Sequence, residues 1–98
     1  MKVVVTKSGA KYFVSMNEKG VLCCIKEGWD KPTPCVGIFE DRLPFLMATK
    51  TIEKVRDIII GKNEKGVITL KVKPLDLKPG MILANRHGLR STEIVSIV

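Results

Sequence analysis

The chain has little aromatic surface and little arginine. One tryptophan, one tyrosine and three phenylalanines make up 5% of its 98 residues. Stacking on single-stranded nucleic acid needs a platform of such rings, and the aromatic motif of RNA-recognition domains is absent. Only Arg42, Arg56, Arg86 and Arg90 among 17 basic residues are arginine. Lysine is a point charge and reads base edges poorly, so a sequence-specific reader is disfavoured.

Long apolar runs are also lacking. The longest is a handful of residues, against the roughly 20 of a membrane-spanning helix. The start Met1-Lys2-Val3-Val4-Val5 offers no signal-like apolar segment. The expectation is a cytoplasmic protein with no membrane partner.

Chemistry-bearing residues are few. His87 is the single histidine, and Cys23, Cys24 and Cys35 are the only cysteines. Their spacing does not match a zinc module, and adjacent strand residues such as Cys23 and Cys24 face opposite ways. The odd count argues against a structural disulfide, and small apolar packing is the reading for Cys23 or Cys24. Asn85, Ser91 and Thr92 lie near His87 in sequence, but nothing supplies an orienting acid or an oxyanion hole. Glu40-Asp41 reads as a strand end and helix cap. No glycine loop cradles phosphate. We expect no enzyme activity, no cofactor and no metal.

What is present is a balanced globular composition. Apolar residues are 45% and charged residues 28%, which suits one domain over residues 1–98. The net charge of +7 permits nucleic acid or an acidic protein surface as partner.

The most organised feature is a repeat. Asn17-Glu18-Lys19-Gly20-Val21 recurs as Asn63-Glu64-Lys65-Gly66-Val67. Asn-Glu-Lys-Gly fits a type I turn closed by a left-handed glycine, a common join between antiparallel strands. Phe13-Val14 lies against Ile59-Ile60 at the same offset, and little else matches. Convergence on a favoured turn is the better reading than duplication.

Along the chain, residues 2–6, 11–16 and 21–26 read as a three-stranded meander. Residues 27–35 form a Gly/Pro-rich loop carrying Trp29, and residues 36–40 a short strand. In residues 41–61, Phe45, Ala48, Ile52, Val55 and Ile59 trace a helical stripe, with Asp41 as N-cap and Gly61 as C-cap. The β-branched residues Thr49, Thr51, Ile52, Val55 and Ile58 to Ile60 oppose it. Residues 67–73 alternate, with Ile68, Leu70 and Val72 inward and Val67, Thr69, Lys71 and Lys73 outward. Pro74 ends that strand. A Pro79-Gly80 turn, a strand at 81–84, a polar turn and a strand at 93–98 follow. The expected fold is α+β: a small, strongly bent antiparallel sheet or partly open barrel of five to seven strands, with one helix around residues 45–60. All-β is the alternative.

Charge bias points downstream of the second pentapeptide. Lys71, Lys73, Lys78, Arg86 and Arg90 stand against Asp76 alone, with His87 beside them. Together these six basic and imidazole side chains form the candidate phosphate-contacting face. The bland reading is a solvated strand face and a polar loop. Trp29 with Asp30 is the candidate protein-contacting loop, against the reading of Trp29 as a lid over the sheet. The leading function is a non-enzymatic binding module on nucleic-acid phosphates. The alternative binds a protein through the Trp29 loop or an exposed sheet edge, as a small inhibitor of the phage type or an assembly subunit. A homo-oligomer stays open.

Overall fold

The computed structural model describes residues 1–48, 51–55, 58–63, 66–72 and 76–98, with side chains described for 1–44, 46–47 and 76–98. Strands β1 (Lys2–Thr6), β2 (Lys11–Met16) and β3 (Leu22–Lys26) form the expected meander. Their alternation sets their facing. Val4, Tyr12, Val14, Leu22 and Cys24 are buried, and Cys23 is half-buried on the other face. Each large apolar side chain buried in this way contributes about 1.5–3 kcal/mol.

The loop after β3 holds one short strand that the sequence does not advertise, β4 (Thr33–Pro34). It pairs with β3, Cys24 facing Thr33 and Cys23 facing Pro34. Pro34 cannot donate to a ladder, so β4 sits at the sheet edge, where that costs nothing. At the opposite edge lies β10 (Ile94–Ile97), giving a five-stranded antiparallel order β10-β1-β2-β3-β4. Val5 faces Ser96 while Thr6 faces Ile94, so Val95 is an extra residue and forms a bulge. On its outer side Ile94 is already bonded, its N–H to Met81 O at 2.7 Å and its O to Gly80 N–H at 2.9 Å.

Strands β5 (Val36–Ile38) and β9 (Ile82–Ala84) pair as a second, two-stranded sheet. All three residues of β9 are buried. Leu83 packs into the core under the meander with Leu77, Met81 and Ile94. Ile82 and Ala84 pack the other way with Val36, Ile38 and Leu46. This pair of strands is therefore a partition between two cores, and its run of apolar residues reflects burial on both faces. Gly37 is the thin point of the partition: a Cβ there would run into Leu77 Cδ2.

The long helix around residues 45–60 is not what forms. A 3-10 turn at Glu40–Arg42 leads into a six-residue helix α1 (Leu43–Ala48), and the chain is extended again from Thr51. Strands β6 (Thr51–Val55), β7 (Ile58–Asn63) and β8 (Gly66–Val72) make a three-stranded antiparallel sheet. The β-branched residues outweigh the helical stripe, as Thr51, Ile52, Val55 and Ile58 to Ile60 pack better on a pleated surface than along a helix. The architecture is thus the all-β alternative, with ten described strands rather than five to seven. The described sheets do not close into a barrel.

The two pentapeptides both lie where antiparallel strands meet. In the first, Asn17 N–H bonds Val21 O and Gly20 N–H bonds Asn17 O, each at 2.9 Å. Gly20 has φ 73°, so this is the type I turn with a left-handed glycine. In the second, Asn63 faces Gly66 directly. Identical sequences thus sit in registers that differ: Met16 faces Leu22 across the first copy, while Lys62 faces Val67 across the second. Residues flanking each copy, rather than the pentapeptide itself, fix the pairing. The preceding strands make both copies part of a three-stranded meander, which strengthens the case for an internal duplication.

Candidate functional site

The first turn has a counterpart at the other end of the chain. Asn85-Arg86-His87-Gly88-Leu89 repeats the Asn-x-x-Gly-aliphatic pattern with a different central pair. In the first hairpin, Asn17 Oδ1 accepts from the N–H groups of Lys19 at 2.9 Å and Val21 at 3.0 Å. Asn85 Oδ1 accepts from His87 at 2.8 Å and Leu89 at 3.0 Å, the same two offsets. Asn85 N–H bonds Leu89 O at 3.2 Å, as Asn17 N–H bonds Val21 O. Gly88 takes a positive φ of 106°, and nothing lies within 4 Å of where its Cβ would be. Its role in the turn is conformational.

Asn85 does more than Asn17. Its side-chain amide also donates to Pro34 O at 3.0 Å and to Thr33 Oγ1 at 3.3 Å. All of its polar capacity is used, and the 85–89 turn is fastened to β4. Leu89 packs against the first core from the same turn. The tip residues Arg86 and His87 are therefore held on a fixed base. Lys31 and Asp30, both exposed, lie in the loop that runs into β4. Two regions that read as separate in the sequence, the Trp29 loop and the Arg86–His87 turn, are joined through Asn85.

The rest of the expected basic face is divided. Lys78 lies 3.8 Å from Asp76, and Arg90 pairs with Glu40. All four side chains are about half exposed or more, so these pairs add little stability. They do offset two of the positive charges locally. Lys71 is in β8. Lys73 lies outside the described residues.

Trp29 is 38% exposed and meets Tyr12 edge to face, with centroids 6.0 Å apart and planes at 89°. It leans back on the meander from a turn in which its N–H bonds Lys26 O. The lid reading describes most of the ring, and the remainder faces solvent. Burial, with a smaller contribution from Cys24, pushes the Tyr12 hydroxyl above its ordinary pKa.

An open cleft of about 390 Å³ lies between the β1–β2 turn and the 90–93 segment, lined by Lys7, Glu40, Arg90, Thr92 and Glu93. Its hydroxyls are committed to structure. Ser91 Oγ accepts from Leu83 N–H and donates to Thr92 O, both at 2.8 Å. Thr92 Oγ1 accepts from Ser8 N–H at 3.0 Å. His87 is not among the lining residues. Among the described residues no three His, Cys, Asp or Glu side chains converge as a metal site would require. None of the helices described is long and apolar enough to cross a membrane.

No protein-family model, curated protein or solved structure matches the chain.

The residue that sequence reasoning missed is Asn85. The signal for Asn85 was present, but in degenerate form. A search for the exact pentapeptide finds two copies, and the third appears only when the two central residues are left free.

Proposed function

We propose that this chain is a non-enzymatic binding domain of the cytoplasm that contacts nucleic-acid phosphates through the Arg86–His87 tip. The observation that carries this reading is the four-way fastening of Asn85. The same turn carries Glu18-Lys19 in the first hairpin and Arg86-His87 here, so an otherwise neutral tip has become a cationic one. A fixed cationic tip loses less side-chain and backbone freedom on docking than a mobile loop. The net charge of +7 supplies long-range attraction. Lysine-rich, arginine-poor composition suits contacts to backbone phosphate, which position rather than specify.

The test is binding to duplex DNA and to RNA over a salt series, with Arg86→Ala/His87→Ala beside Glu18→Ala/Lys19→Ala as the matched control turn. The expected result is affinity falling steeply from about 50 to about 200 mM salt, weakened by the first double variant and not by the second. No binding at low salt, or equal effects of the two variants, overturns the reading.

A second reading places a protein partner at the same end, with the chain acting as an inhibitor or assembly subunit against an acidic surface. The exposed part of Trp29 favours it, since a tryptophan on a fastened loop is a common anchor. Co-purification of a protein that Trp29→Ala releases, from material free of nucleic acid, would decide for it.

A further inference from the structure

Cys24 and Cys35 are both buried in the first core, and their thiols are hydrogen-bonded to each other. The backbone explains the contact. Cys24 faces Thr33 across β3 and β4, and Cys35 N–H bonds Leu22 O at 3.0 Å just beyond the ladder. Cys35 is thus two residues past the partner of Cys24, on the same face. It is also the single residue between β4 and β5, where the chain leaves one sheet for the other. Cys23, next to Cys24 in β3, is half-buried and faces the opposite side of the sheet.

We propose that Cys24 and Cys35 are an oxidation-sensitive pair, which hydrogen peroxide converts to a disulfide that pins the β4–β5 joint to β3. The Cys24 thiolate attacks a peroxide oxygen. The O–O bond breaks, the leaving hydroxide takes up the proton that the thiol released on ionising, and a sulfenic acid and one water result. The Cys35 sulfur then attacks the sulfenic sulfur. The S–S bond forms, the S–O bond breaks, and a second water leaves with the Cys35 proton. Two thiols lose two electrons and two protons, and the peroxide is reduced to two waters.

The surroundings assign the two roles. The hydrogen bond from Cys35 holds Cys24 below the ordinary thiol pKa, which favours it as the attacking thiolate. The same hydrogen bond, with burial, pushes Cys35 up, so it keeps its proton until the second step. A diagonal cross-strand pair has a longer Cα separation than an opposed one, so bond closure draws β4 along β3. The element that must yield is two residues long, lies at a sheet edge and contains a proline. Its local opening also admits the peroxide. Closure makes a ring of the segment holding Trp29, Asp30 and Lys31.

The experiment treats the folded protein with hydrogen peroxide, blocks remaining thiols with N-ethylmaleimide and reads intact mass and disulfide-linked peptides. The expected product is a monomer that has lost two hydrogens and carries one maleimide, on Cys23. Cys23→Ser should oxidise like the parent. Cys24→Ser and Cys35→Ser, each also made as the alanine variant in case serine unfolds the core, should form no internal disulfide. The oxidised parent should be cleaved more slowly between residues 27 and 34 by an added protease. Three maleimides after treatment, a disulfide that includes Cys23, or sulfinic acid without any disulfide would overturn the proposal. This inference is independent of whether nucleic acid binds.

Discussion

The side-chain amide of Asn85 donates to the carbonyl of Pro34 at 3.0 Å, across 51 residues of chain. The bond joins the base of one turn to the edge strand of another sheet. It also satisfies a carbonyl that an edge strand would otherwise leave to water. Asn85→Ala should therefore destabilise the protein by about 2–3 kcal/mol, as several bonds of about 0.5–1.5 kcal/mol each are lost together. Asn17→Ala removes only the local, exposed bonds of the same turn and should cost about 1 kcal/mol. Urea unfolding of the two variants gives the comparison, and equal costs would show that the bonds to β4 contribute nothing.

Gly20 and Gly88 occupy equivalent turn positions at different angles, φ 73° and 106°. Asparagine enters the left-handed region near the first value readily but is strained at the second. Gly20→Asn should be close to neutral, while Gly88→Asn should cost about 1–2 kcal/mol. Thermal unfolding at one fixed pH is enough to rank them.

The partition between the two cores is thinnest at Gly37, where Leu77 occupies the space of a Cβ. Gly37→Ala should cost about 1–3 kcal/mol by overpacking. Leu77→Ala alone should cost about 2–5 kcal/mol by leaving a cavity. The double variant should be more stable than the sum of the two losses predicts, because the new methyl fills part of the cavity. Strict additivity in a double-mutant cycle would mean that the two residues do not share this space.

Tyr12 is the only tyrosine, so tyrosinate absorbance reports it alone. Its folded pKa is raised above 10.0 by burial first, with Cys24 as the lesser cause. The unfolded chain releases this proton near the ordinary value, while the folded chain holds it longer. The stabilisation is thus complete below pH about 10 and is lost as pH rises through the folded pKa. Absorbance should titrate above 10 in the native protein and drop back to the ordinary value in denaturant. A native midpoint at or below 10 would contradict the burial of the hydroxyl.

Much of the meander was legible because one strong signal set it. Strict alternation in Val4, Thr6, Tyr12, Val14, Leu22 and Cys24 decides facing without help from distant residues. Residues 43–60 were not legible for the converse reason. Phe45, Ala48, Ile52, Val55 and Ile59 satisfy a helical period while Thr51 to Ile60 satisfy strand propensity. A conflict of that kind is resolved by pairing with β8, which no local window contains. β4 escaped notice because a two-residue strand ending in proline has no periodicity at all. At the candidate site, Arg86 and His87 stood out by charge, whereas Asn85 is recognisable only through partners at Thr33 and Pro34. The offsetting of Arg90 by Glu40 likewise depends on chain segments 50 residues apart.

The chain ends in Ile94-Val95-Ser96-Ile97-Val98, a short, uncharged, β-branched segment of the kind that stacks into fibrils. The bulge at Val95 and the bonds of Ile94 to Gly80 and Met81 interrupt the straight, vacant rim such growth would copy. Pro34 does the same on the far side. The sheet thus carries a stop at each end, and removing one is a route to polymer. Deleting Val95 to straighten β10 should turn a clear solution into one that scatters light and binds thioflavin.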